Sequence, residues 1–188
     1  MGISSPVEDQ FKNLRRVRNK LLLNIEIKKI ELEKSEEEIK KMSKQITQEQ
    51  DEIKQFSHTL TKDELQIRAK KLISLEKDKE REKQNYDRLD KYNEMLKTNL
   101  SSVENKMNEL ELHKNLKDTN EVLTNLIDTS QTIADNAQKI MTSIENGNQI
   151  IEGLTITSGA ITGDNRTPDD LLKELLGDTK NGENGGVY

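Results

Sequence analysis

From Leu14 to Leu60 apolar side chains return every seven residues. One heptad position reads Ile25, Leu32, Ile39, Ile46, Ile53 and Leu60 without interruption. Its companion reads Leu14, Leu21, Lys28, Ser35, Met42, Glu49 and Phe56, broken by three polar residues. Sustained a/d spacing with Lys and Glu on the other faces predicts a helix that packs lengthwise on another helix. At 1.5 Å per residue, about 45 such residues would reach about 70 Å. The polar intrusions suit a hairpin or a filament contact better than a rigid parallel dimer.

The stripe stops at Ser57-His58-Thr59-Leu60-Thr61. Thr61 followed by Glu64 has the spacing of a capping box, in which the hydroxyl and the carboxylate each take a free amide of the first turn. Asp63 and Glu64 suit the positive end of the new helix dipole. His58 in this connection reads as a solvent-facing loop residue, with a ligand or switch role as the alternative. A second helix is predicted from about Lys62 past Leu110. Its stripe holds Leu65, Leu72, Leu75, Tyr86, Leu89, Leu96, Leu100, Val103, Met107 and Leu110, interrupted by Lys79, Glu82 and Asn93. A short connection makes the two helices antiparallel. Tyr86 and Tyr92 read as seam and flank residues rather than a stacking platform for bases.

From Leu116 to Leu154 charge thins out, and Thr, Asn, Ser and Gln replace it. Leu123, Leu126, Ile133, Ala137, Ile140, Ile144, Ile151 and Leu154 still mark one helical face. The pattern predicts a short helix near 119–128 and another near 130–152, hinged at Asp128-Thr129-Ser130 and stopped by Gly153. These weakly charged helices suit conformational switching, or equally a static pack against the hairpin. Residues 155–168 read as a linker. Next, Thr167 as cap, Pro168 at the first helical position, Asp169, Asp170 and the closing Gly177 frame a short helix bearing Leu171, Leu172, Leu175 and Leu176. Alone it would be marginally helical in water. Its leucines and acids suit a partner's groove, or a fold back onto the chain itself.

The predicted class is therefore all-α: a long antiparallel helical hairpin, then shorter helices and a flexible C-terminal tail with one short helix. The expected divisions are an N-terminal segment (1–10), the hairpin core (11–116), shorter regulatory helices (117–154), and linker plus C-terminal interaction helix (155–188).

Composition sharpens this. Of 188 residues, 35% are charged and 31% hydrophobic, with only nine Gly and two Pro. Ordinary globular domains are about 45–50% apolar, so narrow stripes on long helices are expected instead of a wide core. The chain has no Cys and two His, His58 and His113. That removes thiolate chemistry and most of the usual metal and acid–base residues, so an enzyme is the least expected class, with no catalytic residue, metal or cofactor assigned. No run approaches the roughly 18–20 apolar residues of a membrane span.

Charge is segregated: residues 1–100 hold 23 Lys/Arg against 20 Asp/Glu, and residues 101–188 hold 7 against 15. Lys12, Arg15, Arg16, Arg18 and Lys20 lie in a stretch, Phe11 to Asn24, without one acid. Such a cluster can meet anionic lipid, nucleic acid or an acidic protein surface, or stand as a solvated helix face. Nucleic acid is disfavoured by the acidic total and the lack of aromatics among the cations.

Taken together, a basic striped helix, a second long helix, shorter polar helices, a linker and a Leu-rich terminal helix resemble the ESCRT-III (charged multivesicular body protein) family over nearly the whole chain. Leu65 to Lys83 (LQIRAKKLISLEKDKEREK) is similar to the start of that family's second helix. Val103 to Leu126 (VENKMNELELHKNLKDTNEVLTNL) looks like the passage from its second to its third helix, and Asp169 to Leu175 (DDLLKEL) like its terminal helix. The resemblance implies a closed monomer whose acidic C-terminal half folds on the basic hairpin. Once open, it would assemble with itself and other ESCRT-III subunits into filaments on acidic endosomal membranes. Lys12, Arg15, Arg16, Arg18 and Lys20 would touch lipid. Asp169, Asp170, Leu171, Leu172, Leu175 and Leu176 would recruit an AAA ATPase through its MIT domain. Location would be cytoplasmic, peripheral on endosomes.

Two departures stand out. Leu175 occupies the place of an Arg in the family's best-known terminal motif. The opening Met1-Gly2-Ile3-Ser4-Ser5-Pro6 offers Gly2 for the myristoylation known in one branch, with Pro6 where the usual pattern has Ser or Thr. The competing expectation is a coiled-coil scaffold or tethering-complex subunit without membrane remodelling. A SNARE-like helix around 116–154 ranks last, lacking a span and a clear central polar layer.

Overall fold

The structure, a computed structural model, describes residues 5–115, 120–146, 150–151, 154–155 and 166–177. Its elements are α1 (Pro6–Phe56), α2 (Lys62–Asn115), α3 (Asn120–Glu145), β1 (Ile150–Ile151), β2 (Leu154–Thr155) and α4 (Pro168–Leu176). The class is all-α as expected, with α1 and α2 packed as a long antiparallel hairpin and shorter helices following. Helix α1 starts earlier than its stripe suggests. Ser5 caps it, its Oγ accepting from the Glu8 N–H at 3.1 Å, and Pro6 takes the first position, where its missing N–H costs nothing. At the other end the N–H groups of Thr59 and Leu60 and the Thr59 hydroxyl all turn back to the Phe56 carbonyl. The capping box of α2 forms as its spacing predicts: Thr61 N–H donates to Glu64 Oε2 at 2.9 Å, and Glu64 N–H donates to Thr61 Oγ1 at 3.1 Å.

Two expectations for the third region are corrected. Asn120–Glu145 is one helix, without a hinge at Asp128-Thr129-Ser130. Thr129 donates its hydroxyl to the carbonyls of Asn125 and Leu126, and Thr132 donates to that of Asp128. These hydroxyls satisfy themselves on their own helix instead of competing with it. Ser130 faces the core and is fully buried. The helix also ends at Glu145, not near 152, just before Asn146-Gly147. Beyond it Ile150 pairs with Thr155 and Ile151 with Leu154, a two-residue antiparallel ladder where helix was expected.

The chain divides into two compact units: Met1–Leu32 with Arg88–Ser158, and Glu33–Asp87 with Gly159–Tyr188. In the first, Leu14, Val17 and Leu21 of α1 pack with Leu96, Val103, Met107 and Leu110 of α2 and with Leu126, Ala137, Met141 and Ile144 of α3. Tyr92, not Tyr86, is the buried tyrosine of this core. In the second, Ile46 and Ile53 meet Ala69, Leu72, Ile73 and, from α4, Leu171.

One polar break in each stripe meets the other in this second unit, and ion pairs flank the apolar contact. Ser35 is buried and donates to Glu82 Oε1 at 2.6 Å, so the intrusion in one helix is answered by the intrusion in the other. Glu49 takes Lys71 at 2.9 Å and Glu52 takes Arg68 at 3.0 Å. A shift by one heptad would leave Ser35 facing an apolar side chain, so the pair specifies register. Replacing Ser35 with Ala should cost about 1 kcal/mol in urea unfolding, because Glu82 loses a charge-assisted hydrogen bond in a half-buried position.

Candidate functional site

Two surfaces hold the residues that the sequence singled out, one in each unit. The first is the N-terminal half of α1. Leu14, Val17, Leu21 and Ile25 turn one face of the helix into the core. On the opposite face Lys12, Arg16 and Lys20 stand exposed at steps of four residues. Arg15 is also exposed, with its guanidinium 5.1 Å from the centre of the Phe11 ring, a cation–π contact that leaves the charge in water. Arg18 is different: it is half-buried, and its Nε is sealed from solvent. Four of the five cations are thus exposed, and Arg18 is the half-buried one. Three lie in a row, one rests on an aromatic ring, and one leans into the protein.

The same exposed line continues through Leu23, Ile27 and Ile30, which are 61%, 42% and 47% exposed. From Lys12 to Ile30 the steps are 4, 4, 3, 4 and 3, so all six side chains project from one face of the helix. Sequence reasoning missed the apolar half of this line. It followed the seven-residue seam, whereas the signal for the outer face was a second set of positions at the 3.6-residue period of a straight helix.

The second surface is α4 and its seat. Thr167 accepts from Asp170 N–H at 3.1 Å while its own N–H donates to Asp170 Oδ2 at 3.2 Å, so the cap forms reciprocally with Asp170 in the role usually held by Glu. Leu171 is 1% exposed, seated with Ile46, Ile53, Ala69 and Leu72, and Leu172, Leu175 and Leu176 pack around it. Asp169 accepts from Gln66 Nε2 at 2.7 Å. Arg166 pairs with Glu76 of α2 and with Glu174 of α4, at 2.6 Å for the latter. Of the two options left open for this helix, it takes the fold back onto its own chain. A cleft of about 410 Å³ opens beside it, lined by Leu60, Leu65, Leu172 and Leu176 among others.

The cap has a pH signature. Asp170 is held below its ordinary value near 3.8, chiefly by the Thr167 backbone N–H, then by the Thr167 side chain, with Lys173 and Arg166 adding attraction. A carboxylate lowered in the folded state stabilises α4 fully above that ordinary value, and the contribution is lost as pH falls through the lowered one. Amide shifts of Thr167 and Asp170 should thus stay constant from neutral pH to about pH 4 and move only in stronger acid. Thr167→Ala should cost about 1 kcal/mol of local stability, read as faster amide exchange in α4 while α1 and α2 are unchanged.

Gly2 lies outside the described residues. Among those described, no helix is long and apolar enough to cross a membrane, and no cluster of three His, Asp or Glu side chains is placed to hold a metal. The sequence matches no protein-family model, no curated protein and no solved structure.

Proposed function

We propose that this chain is an ESCRT-III-like subunit, one that polymerises on acidic membranes and serves endosomal sorting, multivesicular body formation and membrane scission. The single observation that carries this reading is the row Lys12, Arg16 and Lys20, exposed on the face of α1 turned away from a sealed core. A helix so built offers cations to a flat anionic surface without disturbing its own packing. At about 1 kcal/mol per cation near such a surface, one chain binds weakly and an array of chains binds firmly. Membrane attachment would then be coupled to assembly with itself and with other subunits of its kind.

The seating of α4 supports the second half of the reading. Asp169, Asp170, Leu171, Leu172, Leu175 and Leu176 are the residues proposed to meet an MIT domain of an AAA ATPase. Because Leu171 is buried in its own chain, that meeting requires α4 to leave its seat. Endosomal location, ATPase recruitment and lipidation at Gly2 follow from the family resemblance.

Electron microscopy of the full chain mixed with phosphatidylserine-containing vesicles tests the proposal. Filaments or coats on these vesicles, absent on pure phosphatidylcholine, are the expected result. Small particles of fixed stoichiometry that ignore both vesicles would instead establish the coiled-coil scaffold.

A further inference from the structure

We infer that the outer line of α1 is a composite lipid-docking face: Lys12, Arg16 and Lys20 engage headgroup phosphates, and Leu23, Ile27 and Ile30 enter the bilayer interface beside them. The inference rests on the membrane reading above and adds the mode of contact. The three apolar side chains are each about half exposed, in the same line as the cations, and none of them belongs to the core of the first unit among the described residues. A surface helix that lies in a membrane interface combines cations with a narrow apolar strip that sinks about 5–10 Å below the headgroups. Eighteen residues of helix separate Lys12 from Ile30, about 27 Å of rise. Within that length the chemistry changes from cationic to apolar along one line.

A second copy of the chain fits this face poorly. In a helix–helix seam the apolar positions occupy the central line and charges flank it. Here cations hold the central line for half its length, so an opposing helix would bury Lys12, Arg16 and Lys20 without partners. The apolar area is also small. Three side chains at no more than about 120 Å² each, the area corresponding to a fully buried Leu or Ile, fall well short of the roughly 800 Å² per partner of a stable interface. A bilayer needs no such minimum, because phosphates accept the cations while the acyl region accepts the strip.

Three forms of the full chain test this: wild type, the triple variant L23Q/I27Q/I30Q, and Ile27→Trp. Glutamine is a good helix former, so circular dichroism should be unchanged. Flotation with phosphatidylserine-containing vesicles at rising salt is the readout. Wild type should retain a salt-resistant fraction that the glutamine variant lacks, and the variant should partition about tenfold less at high salt, equivalent to about 1.4 kcal/mol. The chain contains no Trp, so the indole introduced by Ile27→Trp reports alone. Its emission should shift to the blue on vesicle binding and be quenched by brominated acyl chains. If wild type and the glutamine variant bind alike and the introduced indole stays in water, the inserted strip is refuted while the electrostatic membrane reading stands. If wild type ignores the vesicles altogether, the membrane reading fails and this inference with it. If the glutamine variant instead loses self-association in the absence of lipid, the face belongs to a second copy.

Discussion

Replacing Lys12, Arg16 and Lys20 together with Glu should abolish binding to phosphatidylserine-containing vesicles. Each cation near an anionic surface contributes about 1 kcal/mol, and each reversal both removes that attraction and adds repulsion of similar size. The sum is up to about 6 kcal/mol at low salt, or roughly four orders of magnitude in partition. The corresponding Gln variant should lose about half of that energy, and added salt should weaken wild-type binding in the same direction. Arg18→Gln is the informative contrast. Its side chain is half-buried with a sealed Nε, so it should change binding far less than Arg16→Gln. Equal effects from the two would mean that total charge matters and the exposed row does not. All of these positions except Arg18 lie in water, so circular dichroism should report an intact α1.

Replacing Leu171 with Asp should detach α4. Truncating a fully buried Leu costs about 2–5 kcal/mol, and placing a carboxylate among Ile46, Ile53, Ala69 and Leu72 adds a desolvation penalty. The helix has nine residues, below the length at which isolated helices persist in water. Once undocked it should therefore melt as well as move. Hydrogen exchange followed by mass spectrometry should show residues 169–176 losing protection, with faster exchange around Ala69 to Ile73, where the seat opens. Unchanged protection would mean that Arg166, with Glu76 and Glu174, holds the helix by itself. Under the proposed function the same variant should assemble on vesicles at lower protein concentration, because its terminal helix no longer has to be displaced.

Where the sequence carried a strong period, the structure followed it. The seven-residue stripe of α1 and its counterpart in α2 predicted the hairpin, and the capping box at Thr61 and the cap at Thr167 before Pro168 marked two helix starts. The start of α1 was legible too, in Ser5-Pro6 with Glu8 three residues on, but the stripe drew attention to Phe11 instead. Failures came where local signals conflicted. Asp128-Thr129-Ser130 has the composition of a break, yet the hydroxyls of Thr129 and Thr132 bond within the helix and Ser130 is packed inward. The reach of α3 was overestimated because Ile150, Ile151 and Leu154 fit a helical face as readily as a short ladder.

The order of residues by itself determined the two long helices and the short terminal one, the caps at Thr61 and Thr167 and that the positive charge gathers near the start, since all of these depend on neighbours within a turn or two. Tertiary structure decided the rest. It set Ser35 opposite Glu82, separated Arg18 from Lys12, Arg16 and Lys20, left Leu23, Ile27 and Ile30 exposed, and seated Leu171 among Ile46, Ile53 and Leu72. Each of these depends on which side chain arrives across a gap from a distant part of the chain. Local periodicity says which face is greasy, but only the packed partner says which greasy face is used.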